Sequence, residues 1–163
     1  MTMVTGNHPP GQHGQSGNPP PYPAFRPGDV GRRFFARVID GILVVIAAFF
    51  LGFVTDSLHN YWTTGLFTGL LTFVYFVLFE VTQGTTPGKK VLGLAVHGPG
   101  GAPKPTLRQS AIRNAFTVLP VLPVAGGFLA VVAMIAIAVT ISSNPVRQGK
   151  HDELAGGTLV VRN

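Results

Sequence analysis

The sequence has no cysteine, so disulfides, iron–sulfur clusters and thiol catalysis are excluded. Charge is also scarce, because charged residues make up 11% of the 163 residues. Soluble domains carry roughly a quarter. Hydrophobic residues make up 46% of the chain, and the mean hydropathy is +0.37. A chain with so little charge and such long uncharged runs is typical of membrane proteins.

Acidic residues are the scarcest charged class, six against twelve lysines and arginines, which gives a net charge of +6. In a soluble protein this balance would indicate nucleic acid, but no nucleic-acid-binding motif is present. The basic residues instead flank apolar segments, as membrane topology and anionic lipid headgroups require. We therefore expect a lipid bilayer, and no nucleic acid, as a partner.

The first thirty residues have no apolar run and are rich in proline, glycine, glutamine and asparagine. Such a segment cannot bury enough apolar surface to offset the entropy lost on ordering. Residues 1–30 are therefore predicted to be a disordered cytoplasmic tail, followed by a membrane domain over residues 31–163. The run PPPYP at Pro19–Pro23 is typical of polyproline II ligands, and a solvated tail without a partner is the alternative.

Two apolar segments predict a transmembrane hairpin. The first span is predicted at Val38–Val54 and also needs Phe34–Ile39, because a hydrocarbon core of about 30 Å takes roughly 20 helical residues. The second span is predicted at Thr64–Val81, with the interfacial aromatics Tyr61 and Trp62 before it.

The link between the two spans has no lysine or arginine, whereas basic residues lie on the outer flanks of the hairpin. The positive-inside rule then places the N-terminus and the loop after the second span in the cytoplasm. The expected location is the bacterial plasma membrane. The residues predicted to anchor the protein at the membrane surface are Arg32, Arg33, Lys89, Lys90 and Arg113.

A third apolar region, Ala115–Ile141, is interrupted by prolines and glycines and has two interpretations. One is a single kinked span that leaves the C-terminus outside. The other is a helical hairpin, in which residues 106–119 enter the membrane and residues 128–141 return. Two glycine-bounded, β-branched segments, residues 90–98 and 157–163, predict a small cytoplasmic strand pair, which favours the hairpin. The predicted fold is thus an all-α membrane protein with one small strand pair.

Two acidic residues fall inside the predicted spans. Arg37 and Asp40 share one helix face, and either form an ion, proton or substrate site or a structural pair in which Arg37 neutralises Asp40. Glu80 is expected at the depth of Asp40. Together Asp40 and Glu80 predict an ion or proton site, and pairing of Glu80 with Arg33 or Lys89 is the alternative.

No set of nucleophile, base and orienting group is visible, so an enzyme is not expected. The stretch GTTPGKK lacks the spacing of a phosphate-binding loop, and His151 beside Asp152 has no second histidine at metal-ligand spacing. We expect no cofactor and no metal.

Five short motifs occur in a fixed order: ARVID (36–40), TPGK (86–89), GLAV (93–96), RN (113–114) and HDELAGGTLVV (151–161). In these motifs the chain resembles the RDD family of bacterial integral membrane proteins over about residues 30–161. The resemblance implies that Arg37, Asp40 and Asp152 are the arginine and two aspartates that give the family its name. It also implies a transport role with an unknown ligand.

A C-terminal tail that folds back would bring Asp152 to Arg37 or another base, so that three charged groups meet at the cytoplasmic face. Two functions remain open. The first is transport of an ion or small solute by an oligomer, since about three helices cannot enclose a pathway alone. The second is a non-catalytic accessory or scaffold subunit of a larger membrane complex.

Overall fold

The computed structural model describes residues 26–122 and 124–162. Most of the predicted tail, including Pro19–Pro23, lies outside the described residues. The elements in chain order are β1 (Arg26–Pro27), α1 (Val30–Val54), α2 (Tyr61–Gln83), α3 (Pro87–Val91), β2 (Leu94–His97), a 3₁₀ turn (Pro99–Gly101), α4 (Leu107–Asn114), a longer 3₁₀ helix (Ala115–Val121), α5 (Gly126–Ser143), α6 (Lys150–Leu154) and β3 (Leu159–Arg162).

Three helices of the described part are long and apolar enough to cross a membrane, namely α1, α2 from Trp62 onward, and α5. This confirms a mostly helical, multi-pass membrane fold. Helix α1 begins eight residues before the predicted Val38 and so includes both Arg33 and Arg37. It can do so because these side chains find partners inside the protein and are not left in lipid.

The third apolar region forms two antiparallel arms, as the hairpin interpretation predicted. The inward arm is α4 followed by the 3₁₀ helix, and it packs along α2. The return arm is α5. The inward arm is not a regular α-helix, because Pro120 lies inside it and cannot donate a backbone hydrogen bond.

Two glycines of α2 allow the inward arm to approach closely. A Cβ atom on Gly65 would lie 2.7 Å from the carbonyl oxygen of Pro120, and one on Gly69 would lie 2.8 Å from Cγ2 of Val121. Both distances are too short for a real contact, so this face of α2 is used for packing within the chain.

We expect Gly65→Ala to lower the free energy of unfolding by about 1–3 kcal/mol, because the added methyl group meets backbone atoms that cannot move aside. Unfolding of the detergent-solubilised protein measures the effect. Gly41→Ala on α1 is the matched control, since its Cβ would meet nothing within 4 Å. Equal stability of the two variants would contradict the close packing.

The sheet has three antiparallel strands in the order β1–β3–β2, one more than the predicted pair. Val96 pairs with Val160 and Ala95 with Val161, while Arg26 pairs with Arg162. The sheet joins the start of α1, the loop after α2 and the C-terminal strand. All three therefore lie at one end of the helix bundle, here called the charged end, and α5 returns to it.

Candidate functional site

Asp40 lies fully buried on α1 at the charged end. Its carboxylate accepts hydrogen bonds from Tyr75 Oη at 2.7 Å, from the backbone N–H of Gly88 at 2.7 Å, and from the hydroxyl of Thr86. All three donors are neutral. The predicted neutralisation by Arg37 is not direct, because no ion pair joins Arg37 and Asp40 among the described residues.

The TPG turn explains how Asp40 acquires these donors. Thr86 is the N-cap of α3, where its hydroxyl also accepts from the Lys89 N–H. A Cβ atom on Gly88 would lie 2.9 Å from Cγ of Asp40. Only glycine therefore lets the backbone N–H approach the carboxylate this closely.

Glu80 is fully buried near the end of α2 and has a different set of donors. Lys89 Nζ donates to one carboxylate oxygen, and the other oxygen accepts from Ser110 Oγ at 2.8 Å and Asn114 Nδ2 at 2.9 Å. Arg113 Nε lies 3.7 Å from the same oxygen. The predicted alternative, a pair of Glu80 with Lys89, is the arrangement observed.

Asp152 is fully buried at the start of the C-terminal segment. It forms ion pairs with Arg113 Nη2 at 3.2 Å and Arg33 Nη1 at 3.6 Å, and it accepts from Thr158 Oγ1 at 3.1 Å. The tail thus folds back as expected, but Asp152 meets Arg113 and Arg33 and not Arg37. Burial alone would raise the pKa of Asp152, yet the charge of Arg113 above all lowers it below its usual 3.8.

Arg113 is the residue that joins the two clusters, because its guanidinium contacts both Glu80 and Asp152. Its side chain is only 4% exposed. Burial lowers the pKa of an arginine, but the two carboxylates outweigh burial and raise the pKa of Arg113 above its usual value. The guanidinium therefore stays charged inside the protein.

Three of the five basic residues predicted to anchor the protein at the membrane surface have side chains that are buried within the protein. Lys89 and Arg113 are buried, and the Arg33 side chain is only 10% exposed. Each turns inward because a buried carboxylate lies there. Burial lowers the pKa of Lys89 to about 8, although the charge of Glu80 opposes this shift. Lys90 is exposed, and Arg32 donates to the carbonyl of Leu92.

Arg37 has an environment unlike those of its basic neighbours. Its guanidinium lies 3.9 Å from the ring centre of Phe76 and 4.8 Å from that of Phe116. It donates weakly to Asn114 Oδ1, over 3.4 and 3.5 Å. Within residues 26–122 and 124–162, no carboxylate lies within ion-pair distance of Arg37.

Five residues whose side chains bind the buried carboxylates were not predicted from the sequence, namely Tyr75, Thr86, Ser110, Asn114 and Thr158. Thr86, Asn114 and Thr158 belong to the TPGK, RN and HDELAGGTLVV motifs, which offered a signal. Tyr75 and Ser110 carried none, because their roles depend on which side of α2 faces α1 and on which side of α4 faces α2.

The RDD family model matches residues 27–156, which covers every cluster described above except Thr158. The chain belongs to the RDD family. No curated protein and no solved structure matches the chain. Arg37, Asp40 and Asp152, which the resemblance implied are the arginine and two aspartates of the RDD family name, all lie at the charged end, but among the described residues Arg37 forms no ion pair with either aspartate.

A cavity of about 120 Å³ lies beside this network, between α1 and α5. Its lining combines basic side chains with apolar side chains of the two helices. The described part of the RDD protein contains no group of three or more histidine, aspartate and glutamate side chains that could hold a metal. The basic lining residues are Arg33, Arg37, Lys89, Arg113 and His151.

Proposed function

We propose that this integral membrane protein transports an ion or small solute and works as a homo-oligomer, without enzymatic activity. We place it in a bacterial plasma membrane, with its N-terminus in the cytoplasm. The observation that carries the proposal is the cavity at the charged end. A cavity lined by three arginines and one lysine, next to helices able to cross a membrane, is suited to binding a charged solute.

The oligomer follows from the size of the bundle. Three spanning helices and one short inward arm pack around each other with little interior. Large apolar side chains along α1, such as Ile46, Phe49 and Phe53, are more than 60% exposed. A continuous pathway for a solute therefore needs helices from further copies, and these exposed faces are available for lipid or for another subunit.

The alternative is an accessory or scaffold subunit of a larger membrane complex. One observation favours it. Asp40, Glu80 and Asp152 are 0% exposed, and each is held by several donors. Carboxylates held in this way stabilise a rigid structure, and such a structure also suits a subunit that presents a fixed surface to a partner.

The test is solute flux into liposomes that contain the purified protein, driven by a cation, an anion or a pH gradient. We expect flux above that of protein-free liposomes in at least one of these conditions. Loss of flux in folded Asp40→Asn or Glu80→Gln would assign the carboxylates to the ion path. Glu153→Gln is the matched control, because Glu153 is an exposed acid.

Two results would contradict transport. The first is no flux from a folded, inserted wild type under any gradient. The second is a monomer, and no defined homo-oligomer, when the native mass of the detergent-extracted protein is measured. Both results together would support the accessory role, and a search for a partner would follow.

A further inference from the structure

We propose that the cavity between α1 and α5 binds a phosphate-type oxyanion, supplied by a phospholipid headgroup or by a free phosphate. An oxyanion is then the class of ligand for the transport role proposed above. Binding of the oxyanion does not depend on that role, whereas its movement across the membrane after binding does. The cavity is one fixed binding site with its own basic residues, and neither Asp40 nor Glu80 lines it.

Buried N–H donors without a hydrogen-bond partner are the first observation that supports an anion site. Among the described residues that line the cavity, three buried N–H donors have no hydrogen-bond partner, namely Nη1 of Arg33 and both Nε and Nη1 of Arg113. Arg33 Nη1 and Arg113 Nε still lie within 3.6 and 3.7 Å of carboxylates, beyond hydrogen-bond length. Both arginines line the cavity. Buried donors are nearly always paired in native proteins, so this group points to a missing acceptor.

The charge of the side chains that line the cavity is the second observation that supports an anion site. The lining includes four cationic side chains and no acidic residue. Against these four cations the network buries three carboxylates, those of Asp40, Glu80 and Asp152. The net charge of these seven side chains is therefore +1, and an uncompensated buried charge is strongly unfavourable. An anion in the cavity would compensate for it.

Arg37 is the cation that lacks a carboxylate. The rings of Phe76 and Phe116 hold its guanidinium from two sides, and Asn114 accepts from it weakly. These bonds to Asn114 take one donor from each of Nη1 and Nη2, and a guanidinium has five N–H donors in all. A fixed, planar guanidinium binds two oxygens of a phosphate at once, which lysine cannot do.

The apolar side of the cavity indicates where the anion comes from. It is formed by Phe34 of α1 and by one face of α5 with Met134, Ile137, Ala138 and Ile141. Phe34 is 62% and Met134 is 42% exposed on spanning helices, so the cavity opens on the apolar surface of the bundle. A site with cations inside and apolar walls at its mouth fits the headgroup and first chain carbons of an anionic phospholipid.

The experiment uses the full chain, purified in detergent, with thermal unfolding as the readout. One arm adds inorganic phosphate. The other compares phosphatidylcholine nanodiscs with nanodiscs that also contain phosphatidylglycerol. A ligand that binds only the folded state raises the unfolding temperature. Stabilisation by phosphate assigns a free anion, and stabilisation by phosphatidylglycerol alone assigns a lipid headgroup. Stabilisation by neither overturns the proposal.

Arg37→Gln is expected to weaken binding about tenfold or more, the usual effect of losing charge-assisted hydrogen bonds. Arg108→Gln is the matched control, because it removes the same charge from an exposed site. If Arg37→Gln does not fold, Ala138→Phe replaces it, since the ring fills the cavity without touching the ion pairs. Its control is Ala136→Phe, on the exposed side of α5. Binding equal to wild type in both Arg37→Gln and Ala138→Phe overturns the site.

Binding and flux separate the two proposals. Binding that requires Arg37, together with no flux in liposomes, supports the oxyanion site and contradicts transport. Flux without binding of phosphate or phosphatidylglycerol supports transport and contradicts the oxyanion site.

Discussion

Replacing Arg113 with glutamine is expected to lower the free energy of unfolding by about 3–5 kcal/mol, the usual effect of removing one partner from a buried ion pair. Arg113 contacts Glu80 through Nε and Asp152 through Nη2. Both carboxylates are 0% exposed, so water cannot replace the lost guanidinium. The loss is large because one side chain serves two acids from distant parts of the chain.

Arg108→Gln is the matched control, since Arg108 lies exposed on the same helix and its loss changes the net charge equally. We expect it to change stability by less than about 0.5 kcal/mol. Arg113→Lys should fall between the two, because a single ammonium group cannot contact both acids with the geometry of a guanidinium. Denaturant unfolding in detergent measures all three. Arg113→Gln as stable as Arg108→Gln would contradict the bridging role.

The spans and the end at which the charges gather were predictable from the sequence. The apolar lengths of α1 and α2 exceed what a buried soluble helix needs, and arginines and lysines flank them on one side only. The strands β2 and β3 followed from short β-branched segments between glycines. Strand β1 did not, because two residues that include Pro27 carry no periodic signal.

The direction in which each charge points was not predictable. Lys89 and Arg113 follow apolar segments, and in a linear sequence this position is typical of headgroup anchors. Their partners lie elsewhere: Lys89 binds Glu80, nine residues earlier, and Arg113 binds Asp152 on the returning tail. The rotation of α2 and α4 about their axes decides these contacts, and hydropathy does not record it.

The spacing of Arg37 and Asp40 correctly indicated a shared helix face, but it did not identify the partners of either side chain. Residues three apart share a helix face, which predicts a pair. In the structure Asp40 instead accepts hydrogen bonds from two residues of the TPG turn, through the hydroxyl of Thr86 and the backbone N–H of Gly88. Arg37 is then left between two aromatic rings. The spacing predicted that Arg37 neutralises Asp40. Because it does not, Arg37 is the cation that is available to bind a ligand.

Acidification from pH 6.5 to about 4 is expected to lower the free energy of unfolding through His151, by about 3 kcal/mol. Burial lowers the pKa of His151 from its usual 6.5 to about 4. The charge of Asp152 opposes this shift, whereas the charges of Arg113, Arg37 and Arg33 add to it. Between these pH values the unfolded chain binds a proton that the folded protein does not. Stability therefore falls as the pH decreases through this window.

His151→Gln should remove most of this pH dependence, while His59→Gln, in an exposed loop, should leave it unchanged. Asp152 does not mask the result, because its pKa lies below 3.8 and its stabilising effect is lost only at more acidic pH. Unfolding free energies of the three proteins, measured in detergent from pH 4 to 7.5, give the slopes. Parallel curves for wild type and His151→Gln would contradict a neutral, buried His151.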